Sequence, residues 1–175
     1  IISPHGEEKT ERIPLKEYLQ IVAASNFKQR SRMSMLYYHA DRLNFAVIGT
    51  GNKNEHEQGF FVKYGDGGAD IKPIAHLFKT QVFQLAEYLG VPEEIRERTP
   101  TTDTYSAECT QEEFFFRVPF EVGDLVWLAM EKGVSAGEVA NELGLGKDQV
   151  LNIQNDIKRK IKATEYLRAE PKHIG

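Results

Sequence analysis

The feature that most constrains the fold of this chain is a short apolar segment that ends in glycine. Phe45 to Ile48 is apolar without alternation, which is typical of a β-strand covered on both faces. Gly49 to Asn52 follows it directly and forms a glycine-containing loop. In open parallel sheets, ligands bind just beyond the carboxyl ends of such strands. The segment therefore predicts an α/β fold with a ligand site after this strand.

Apolar residues at helical spacing dominate the rest of the chain. They predict helices from Pro14 to Ala23 and from Arg30 to Leu43, a third that ends at Gly90, and three more after a long polar loop at Thr99 to Glu113. One clear strand is too few for a complete α/β sheet, so we expect a strand-poor, Rossmann-like parallel sheet whose other strands precede Ile1. The predicted organisation is one domain, or part of one, with a loop or extended segment at 1–13, an α/β part at 14–110 and a helical part at 111–175.

Composition excludes several classes of protein. The chain has 175 residues, of which 41% are hydrophobic, and a formal net charge of -4. That charge gives no general attraction to nucleic acid or to anionic membranes, and no apolar stretch approaches the length of a membrane span. Cys109 is the single cysteine, which excludes an internal disulfide and a cysteine-based metal cluster. We therefore expect a cytoplasmic protein without nucleic-acid or membrane partners.

The loop after the predicted strand has the groups needed to hold a nucleotide. Thr50, Gly51 and Asn52 provide a hydroxyl, an unhindered backbone N–H and an amide, although most glycine loops after strands are plain turns. Glu55 follows closely, and a carboxylate beside phosphates usually binds magnesium. The alternative for Glu55 is a solvated glutamate in a polar segment. The residues alone leave both interpretations open.

A second glycine-rich loop follows at Lys63 to Asp70. Its glycines allow close approach to a ligand or a positive φ, and the alternative is a turn capped by an aspartate. Lys79 lies at the start of the third predicted helix, where the helix dipole disfavours a cation, so a phosphate contact would explain it. Arg30 can bind a carboxylate or phosphate, although solvated or ion-paired arginines are more frequent. These positions are candidate contacts for an anionic ligand.

Five motifs, in this order and spacing, resemble those of ammonia-dependent NAD synthetases. They are Asn26 to Met33, Val47 to Glu55, Gly59 to Asp70, Lys79 to Val82 and Pro100 to Asp103. The third motif, which contains Lys-Tyr-Gly-Asp-Gly-Gly-Ala-Asp, is far more specific than a single glycine loop. The resemblance implies the adenine-nucleotide α-hydrolase-like fold of that family.

The resemblance also implies an activity and a set of site residues. In this family, ATP adenylates the nicotinate carboxylate of deamido-NAD with release of pyrophosphate, and ammonia then displaces AMP to give NAD. The family's enzymes are ligases that use magnesium, and the resemblance implies a homodimer. By position, it assigns ATP contacts to Thr50, Lys79 and Thr101, deamido-NAD contacts to Arg30, Lys63 and Asp70, and the magnesium ligand to Glu55.

Two departures from the family pattern bear on these expectations. The family's pyrophosphate-binding loop, Ser-Gly-Gly-x-Asp-Ser, supplies a second magnesium ligand and has no match in the chain, so we expect the isolated chain to be inactive. The family's C-terminal His-Lys pair is replaced within Thr164 to Arg168, which makes a carboxylate other than deamido-NAD an alternative acceptor. Phe114 to Phe116 is predicted to be core or a dimer contact rather than a stacking surface for substrate.

Two other functional classes remain as alternatives. Ser135 to Leu145, followed by a helix with Lys158, Arg159, Lys160 and Lys162, resembles a DNA-binding helix-turn-helix. An ordinary helical hairpin has the same pattern, and here the basic residues lie far from the N-terminal positions that read DNA bases. The other alternative is a catalytically incomplete paralogue that binds nucleotide. A complete gene product without the pyrophosphate-binding loop would favour that paralogue.

Overall fold

Helices form nearly all of the regular structure of the residues that the structure describes. The computed structural model describes residues 12–102 and 109–173, so residues 1–11 of the predicted leading segment and Asp103 of the fifth motif lie outside the described residues. A π-helical turn spans Glu112–Phe116. No helix in the described ranges is long and apolar enough to cross a bilayer. The helices are α1 (Leu15–Leu43), α2 (Lys53–Gln58), α3 (Lys79–Tyr88), α4 (Glu93–Arg96), α5 (Phe120–Glu131), α6 (Ala136–Leu143), α7 (Lys147–Ala163) and α8 (Glu165–Arg168).

α1 is one continuous helix of 29 residues, where the sequence predicts two. The apolar periodicity fades between Ala23 and Arg30, but this stretch contains neither glycine nor proline, so nothing interrupts the backbone hydrogen bonds. The predicted break is therefore wrong. The helix ends at Asn44, which adopts a left-handed conformation with a φ of 56°. Its two buried side chains pack against Val47, the start of the predicted strand segment.

The predicted strand is reduced to a single parallel bridge between Ile48 and Ile71. The N–H of Gly49 donates to the Ile71 carbonyl at 2.8 Å. Phe45 and Ile48 are 69% and 55% exposed, so the predicted burial on both faces is wrong in this structure. A strand needs neighbours to cover both faces, and within residues 12–102 and 109–173 this segment has one pairing. The expectation of a strand-poor unit fits this architecture.

The polar loop predicted at Thr99 to Glu113 has more regular structure than expected. Thr101 forms an antiparallel bridge with Thr110, and the N–H of Gln111 donates to the Pro100 carbonyl at 2.9 Å. The π-helical turn also begins inside the predicted loop. These pairings hold the two described ends of the loop together and bring residue 111 close to residue 101.

The last long helices form an apolar cluster, the C-terminal core. Val126 of α5 and Val150 of α7 are completely buried, and Val139 and Ala140 of α6 pack against them. The glycines after α5 and α6 adopt left-handed φ values of 71° and 65°, as expected for residues that end helices. The three helices predicted here are confirmed. The segment that resembles a helix-turn-helix thus buries its apolar faces against α5.

Candidate functional site

Glu55 is held in place at the start of α2. The Asn52 side chain accepts the N–H of Glu55 at 3.0 Å, and Glu55 Oε2 accepts the N–H of Asn52 at 2.9 Å. This reciprocal capping box satisfies two donors at the helix N-terminus. The Asn-x-x-Glu spacing at 52–55 is the sequence signal for α2, which the sequence prediction missed. The capping box fixes the position of the carboxylate that is predicted to bind metal.

The Glu55 carboxyl lies in a partly buried environment with several polar neighbours. Burial raises the pKa of Glu55 above its usual value, and the nearby Asp66 carboxylate adds to the rise. The Asn52 N–H, the Lys79 charge and the Gln111 amide oppose it. Burial also raises the pKa of Asp66. A bound cation would stabilise the ionised forms of both carboxyls, which makes this region a candidate cation site.

A cleft of about 560 Å³, the main cleft, brings together distant parts of the chain. Thr50, Glu55 and Thr101, three of the predicted site residues, all line it. Asn26 and Gln29 of α1 contribute another wall. The volume lies within the usual range of sites for small molecules. Three residues that the resemblance assigns to ATP or magnesium, from two separate motifs, therefore line one cleft.

An aromatic wall, formed by Phe60, Phe114 and Phe115, borders the main cleft. Phe60 stacks on Phe115 with ring centroids 4.6 Å apart. Phe116 instead is buried and packs on Phe120, with ring centroids 5.1 Å apart. The predicted core role is confirmed for Phe116. Phe114 and Phe115 instead line the main cleft.

A second cavity of about 350 Å³, the basic cavity, contains Arg30 and Lys63. Arg30 Nε donates to the Lys63 carbonyl at 3.1 Å, and Lys63 Nζ donates to the carbonyls of Tyr166 and Ala169 at 3.1 and 2.9 Å. The segment around α8 therefore contacts the lysine predicted to bind deamido-NAD. The basic cavity adjoins the main cleft, since three residues line both: Asn26, Phe61 and Val62.

The glycines of the second loop serve close packing. A side chain at Gly67 would collide with the Phe61 ring, and one at Gly65 would crowd Gln29. The described glycines with positive φ lie elsewhere in the chain, so the positive-φ interpretation is wrong for these two. Asp66 Oδ1 accepts the N–H of Val62 at 2.8 Å, which is the aspartate-capped turn that the sequence left as an alternative. The same aspartate lines the main cleft.

Asp70 makes structural contacts in this fold. Its carboxylate accepts the Val47 N–H at 2.7 Å and the Tyr37 hydroxyl at 3.1 Å. It thereby links α1 to the segment that carries the parallel bridge. Asp70 is not among the described residues that line the main cleft or the basic cavity, so the structure does not bring it together with Arg30 and Lys63.

Lys79 is the first residue of α3, as the sequence predicts. Its ammonium lies over the rings of Phe83 and Phe120, at 5.3 and 5.8 Å from their centroids. Its charge is close enough to Glu55 to oppose the rise in that residue's pKa. The predicted ATP-contacting lysine therefore lies near the carboxylate, although it is not among the described residues that line the main cleft.

Buried polar side chains that the sequence prediction missed hold the start of α3. Asn54 Oδ1 accepts the N–H of Lys79 at 3.0 Å, and its amide donates to Asp124. Asp124 also accepts the N–H and the hydroxyl of Thr80, both at 2.9 Å. This polar network, Asn54, Thr80 and Asp124, connects α2, α3 and α5. Their contacts run between distant segments, so no local pattern marks them.

Gln111 is a cleft residue that the sequence prediction also missed. Its Nε2 lies 3.5 Å from Glu55 Oε1, at the limit of a hydrogen bond. Its Oε1 is buried and has no hydrogen-bond partner among the described residues. A buried oxygen without a donor is uncommon in folded proteins. The contact could not be read from local sequence, because the two residues are 56 positions apart.

Comparisons with known proteins identify relatives of the chain. The family model for NAD synthase matches residues 6–171. The NH3-dependent NAD+ synthetase of Rhizobium meliloti (strain 1021) is 56% identical over 171 residues, which are 98% of this chain and 51% of that protein. A protein of the same name from Methanosarcina mazei is 36% identical over 159 residues, 91% of this chain and 60% of that protein. The chain thus spans about half the length of the curated relatives it matches.

Solved structures show the same fold. The NMN synthetase from Francisella tularensis matches with a TM-score of 0.65 and 28% identity, over 88% of this chain and 57% of that one. The NH3-dependent NAD synthetase from Campylobacter jejuni matches with a TM-score of 0.61 and 23% identity, over 95% and 58%, which bears on the fold alone. The fold is therefore the adenine-nucleotide α-hydrolase-like fold, with almost no strands in the described part of this chain. Because the family model for NAD synthase matches residues 6–171, this chain belongs to the NAD synthase family.

Proposed function

We propose that the protein amidates deamido-NAD to NAD with ATP and ammonia, through an adenylated carboxylate. The observation that supports this most is the convergence of Thr50, Glu55 and Thr101 on the main cleft. In the family pattern these positions contact ATP and magnesium. The adjoining basic cavity holds Arg30 and Lys63, two of the positions for deamido-NAD. Adjoining cavities suit two ligands that must react with each other.

Repulsion between anions is the main obstacle to the first step. A nicotinate carboxylate oxygen bonds to the α-phosphorus of ATP, and pyrophosphate leaves with the bonding electrons. Positive charge stabilises the departing pyrophosphate, and Lys79 near Glu55 supplies a cation close to the cleft. Ammonia then bonds to the acyl carbon, AMP leaves and one proton is released. Neither step needs a covalent nucleophile from the protein.

The residues around Glu55 fit the magnesium that the family uses. Magnesium prefers oxygen ligands and is usually held by one or two carboxylates together with substrate phosphates. Glu55 provides a partly buried carboxylate, and the unpaired Gln111 Oε1 is a further oxygen beside it. No group of three His, Cys, Asp or Glu side chains in the described residues could hold a metal by itself. When bound with ATP, the metal would neutralise phosphate charge.

A nicotinate mononucleotide is a second candidate acceptor. The Francisella tularensis relative is named an NMN synthetase. In this chain, Tyr166 lines the basic cavity at the C-terminal position where the family pattern has a His-Lys pair. Both acids carry the same nicotinate carboxylate, so the two bond-forming steps would be the same. The difference would lie in how the rest of the acceptor is bound.

The test uses the complete product of the gene that encodes this chain. With ATP, magnesium and ammonia, we expect equal amounts of AMP and NAD to form from deamido-NAD. AMP formation with the mononucleotide acid alone would transfer the assignment to that acceptor. Nucleotide binding without AMP formation from either acid would support the catalytically incomplete paralogue instead.

Glu55→Gln tests the metal role. We expect kcat/KM to fall by about 100-fold or more, because a neutral amide is a weaker magnesium ligand than a carboxylate. Glu57→Gln is the matched control, since Glu57 lies on the same helix and pairs with Lys53 at 2.6 Å. The control should retain activity within about twofold, as expected for loss of one partly exposed ion pair. Equal losses in the two variants, or normal rates for E55Q at limiting magnesium, would contradict the role of Glu55.

A further inference from the structure

α7 contacts the π-helical turn beside the main cleft through Lys160. Lys160 Nζ donates to the Phe115 carbonyl at 2.7 Å and to the Phe116 carbonyl at 3.3 Å. Carbonyls at the end of a helical turn lack intrahelical donors and need partners from elsewhere. Lys160 supplies that partner from a helix more than forty residues further along the chain, at separations of 45 and 44 residues.

The Lys160 ammonium is fixed by the groups around it. Its side chain is only 13% exposed, and Asp156 pairs with it at 2.6 Å. The centroid of the Phe115 ring lies 4.7 Å from Nζ, within the range of a cation–π contact. A buried ammonium requires such partners, and the carboxylate, the ring and the two carbonyls together define its position.

The turn that Lys160 holds carries most of the aromatic wall. Phe115 stacks on Phe60, and Phe116 anchors the turn in the core against Phe120. Phe114, the preceding residue of the turn, lines the main cleft. Because the turn is short and is anchored on α5 through Phe116 and Phe120, a shift of its last carbonyls would displace the ring faces that border the cleft.

We propose that Lys160 is a positioning residue, which sets the aromatic wall of the main cleft to receive the planar heteroaromatic ring of a substrate. The inference rests on the proposed function, which supplies three such rings: the adenine of ATP, and the adenine and the nicotinate of deamido-NAD. Aromatic side chains recognise such rings by stacking. This role also accounts for one of the basic residues that made α7 resemble a DNA-binding helix.

The test compares Lys160→Met with Lys158→Met in the complete gene product. Methionine retains a long apolar side chain and removes the ammonium, and Lys158 is an exposed lysine on the same helix. We expect K160M to raise the KM for one substrate by about 10-fold, because it disturbs the binding of a ring. For an adenine, which is remote from the reacting atoms, kcat should stay within about threefold of wild type, whereas for the nicotinate, which carries the reacting carboxylate, kcat should fall further. A rise for ATP assigns the wall to the adenine of ATP. A rise for deamido-NAD assigns it to the dinucleotide, with kcat retained if the ring is its adenine and lowered if the ring is its nicotinate. K158M should change neither KM.

Two further variants separate positioning from general stability. Val150→Ala removes packing atoms from the same helix in the C-terminal core and should lower stability without changing either KM. Lys160→Arg keeps the positive charge and hydrogen-bond donors and should restore most of the lost affinity. An unchanged KM for both substrates in K160M, or the same rise in V150A, would overturn the inference.

If K160M does not fold, Asp156→Asn takes its place. The amide keeps a hydrogen-bond acceptor for Lys160 but removes the charge that holds the ammonium, so a smaller rise in the same KM is expected. A D156N protein with both KM values unchanged would overturn the inference.

If the wild-type protein forms no NAD, the proposed function fails independently of the role of Lys160. Calorimetric affinities for ATP and deamido-NAD then replace the KM values, and the comparison of variants still decides the role of Lys160.

Discussion

The C-terminal core and the main cleft differ in how well the chain satisfies its own buried groups. Val126 and Val150 are completely buried among apolar neighbours, so this cluster needs nothing further. At the cleft, burial raises the pKa values of Glu55 and Asp66, and Gln111 Oε1 lacks a partner among the described residues. Groups of that kind reduce stability unless a ligand satisfies them. The C-terminal core therefore provides stability, whereas the main cleft retains polar groups that can bind a ligand.

The polar network of Asn54, Thr80 and Asp124 joins these two regions. Asp124 lies on α5, a helix of the C-terminal core, and is 2% exposed. Through Asn54 it fixes α2, the helix that carries Glu55, and through Thr80 it fixes the start of α3. The network therefore couples the rigid core to the groups that we propose contact ATP and magnesium.

Trp127→Ala should have the largest effect on stability. Trp127 is 3% exposed and packs edge-on against Phe78 with ring centroids 5.5 Å apart. Removing a buried tryptophan side chain costs about 3–5 kcal/mol in free energy of unfolding. Urea denaturation measures this loss, with Tyr88→Ala as the control, because Tyr88 is 85% exposed. The control should cost less than about 1 kcal/mol. Similar losses of stability in W127A and Y88A would contradict the assignment of Trp127 to the buried core.

Asp124→Ala should have an intermediate effect. It leaves buried donors on Asn54 and Thr80 without their acceptor, which costs about 2–3 kcal/mol. Activity should fall as well, because α2 and α3 lose their shared anchor. The measurements are urea denaturation and the rate of AMP formation, with Asp148→Ala on the exposed start of α7 as the control. Wild-type stability of D124A would exclude the network as the link between core and cleft.

The sequence predicted the C-terminal helices better than the cleft, for a physical reason. The helices follow local rules, because apolar residues recur at helical spacing and Gly133 and Gly144 end α5 and α6 with left-handed φ values. Local rules also contained the signal for α2, the Asn-x-x-Glu capping box at Asn52, although the prediction missed it. The wrong break in α1 has a local cause too, because apolar periodicity also fades where a helix ends.

The parts of the cleft that could not be predicted depend on contacts between distant residues. Gln111 reaches Glu55 because Thr101 pairs with Thr110, and no sequence period encodes that pairing. Lys160 looked like one member of a basic helix face, but its contacts are with a turn 44 and 45 residues earlier. Motif resemblance did predict Thr50, Glu55 and Thr101 as site residues, and the structure places all three on one cleft.

Glu55→Gln should have a small stabilising effect in the absence of ligands. Burial raises the folded-state pKa of Glu55, so the folded protein binds this proton more tightly than the unfolded chain does. The stability linked to this proton is fully present below the usual pKa of 4.5 and is lost as the pH rises through the folded-state value. Glutamine resembles the protonated form at every pH. Thermal unfolding should therefore show an advantage for E55Q that grows from about pH 4 to pH 7.

The matched control for this effect is again Glu57→Gln. Glu57 accepts from Lys53 at 2.6 Å, so its neutralisation removes an ion pair and should not stabilise the protein. If E57Q gained the same stability as E55Q, the gain would reflect a general change in net charge. If E55Q became less stable relative to wild type as the pH rose, the assigned direction of the Glu55 pKa shift would be wrong.

Under the proposed function, the cleft keeps Glu55 charged for a metal-bound nucleotide. The most direct test of this role compares the stability of wild type and E55Q with and without magnesium and ATP. Without ligand at neutral pH, we expect E55Q to have the larger free energy of unfolding. With saturating magnesium and ATP, wild type should gain more than E55Q, by about 1.4 kcal/mol for each tenfold difference in affinity, and the order should reverse. Equal gains in the two proteins would contradict the metal role, and a wild type that is already more stable without ligand would contradict the cost assigned to the charge.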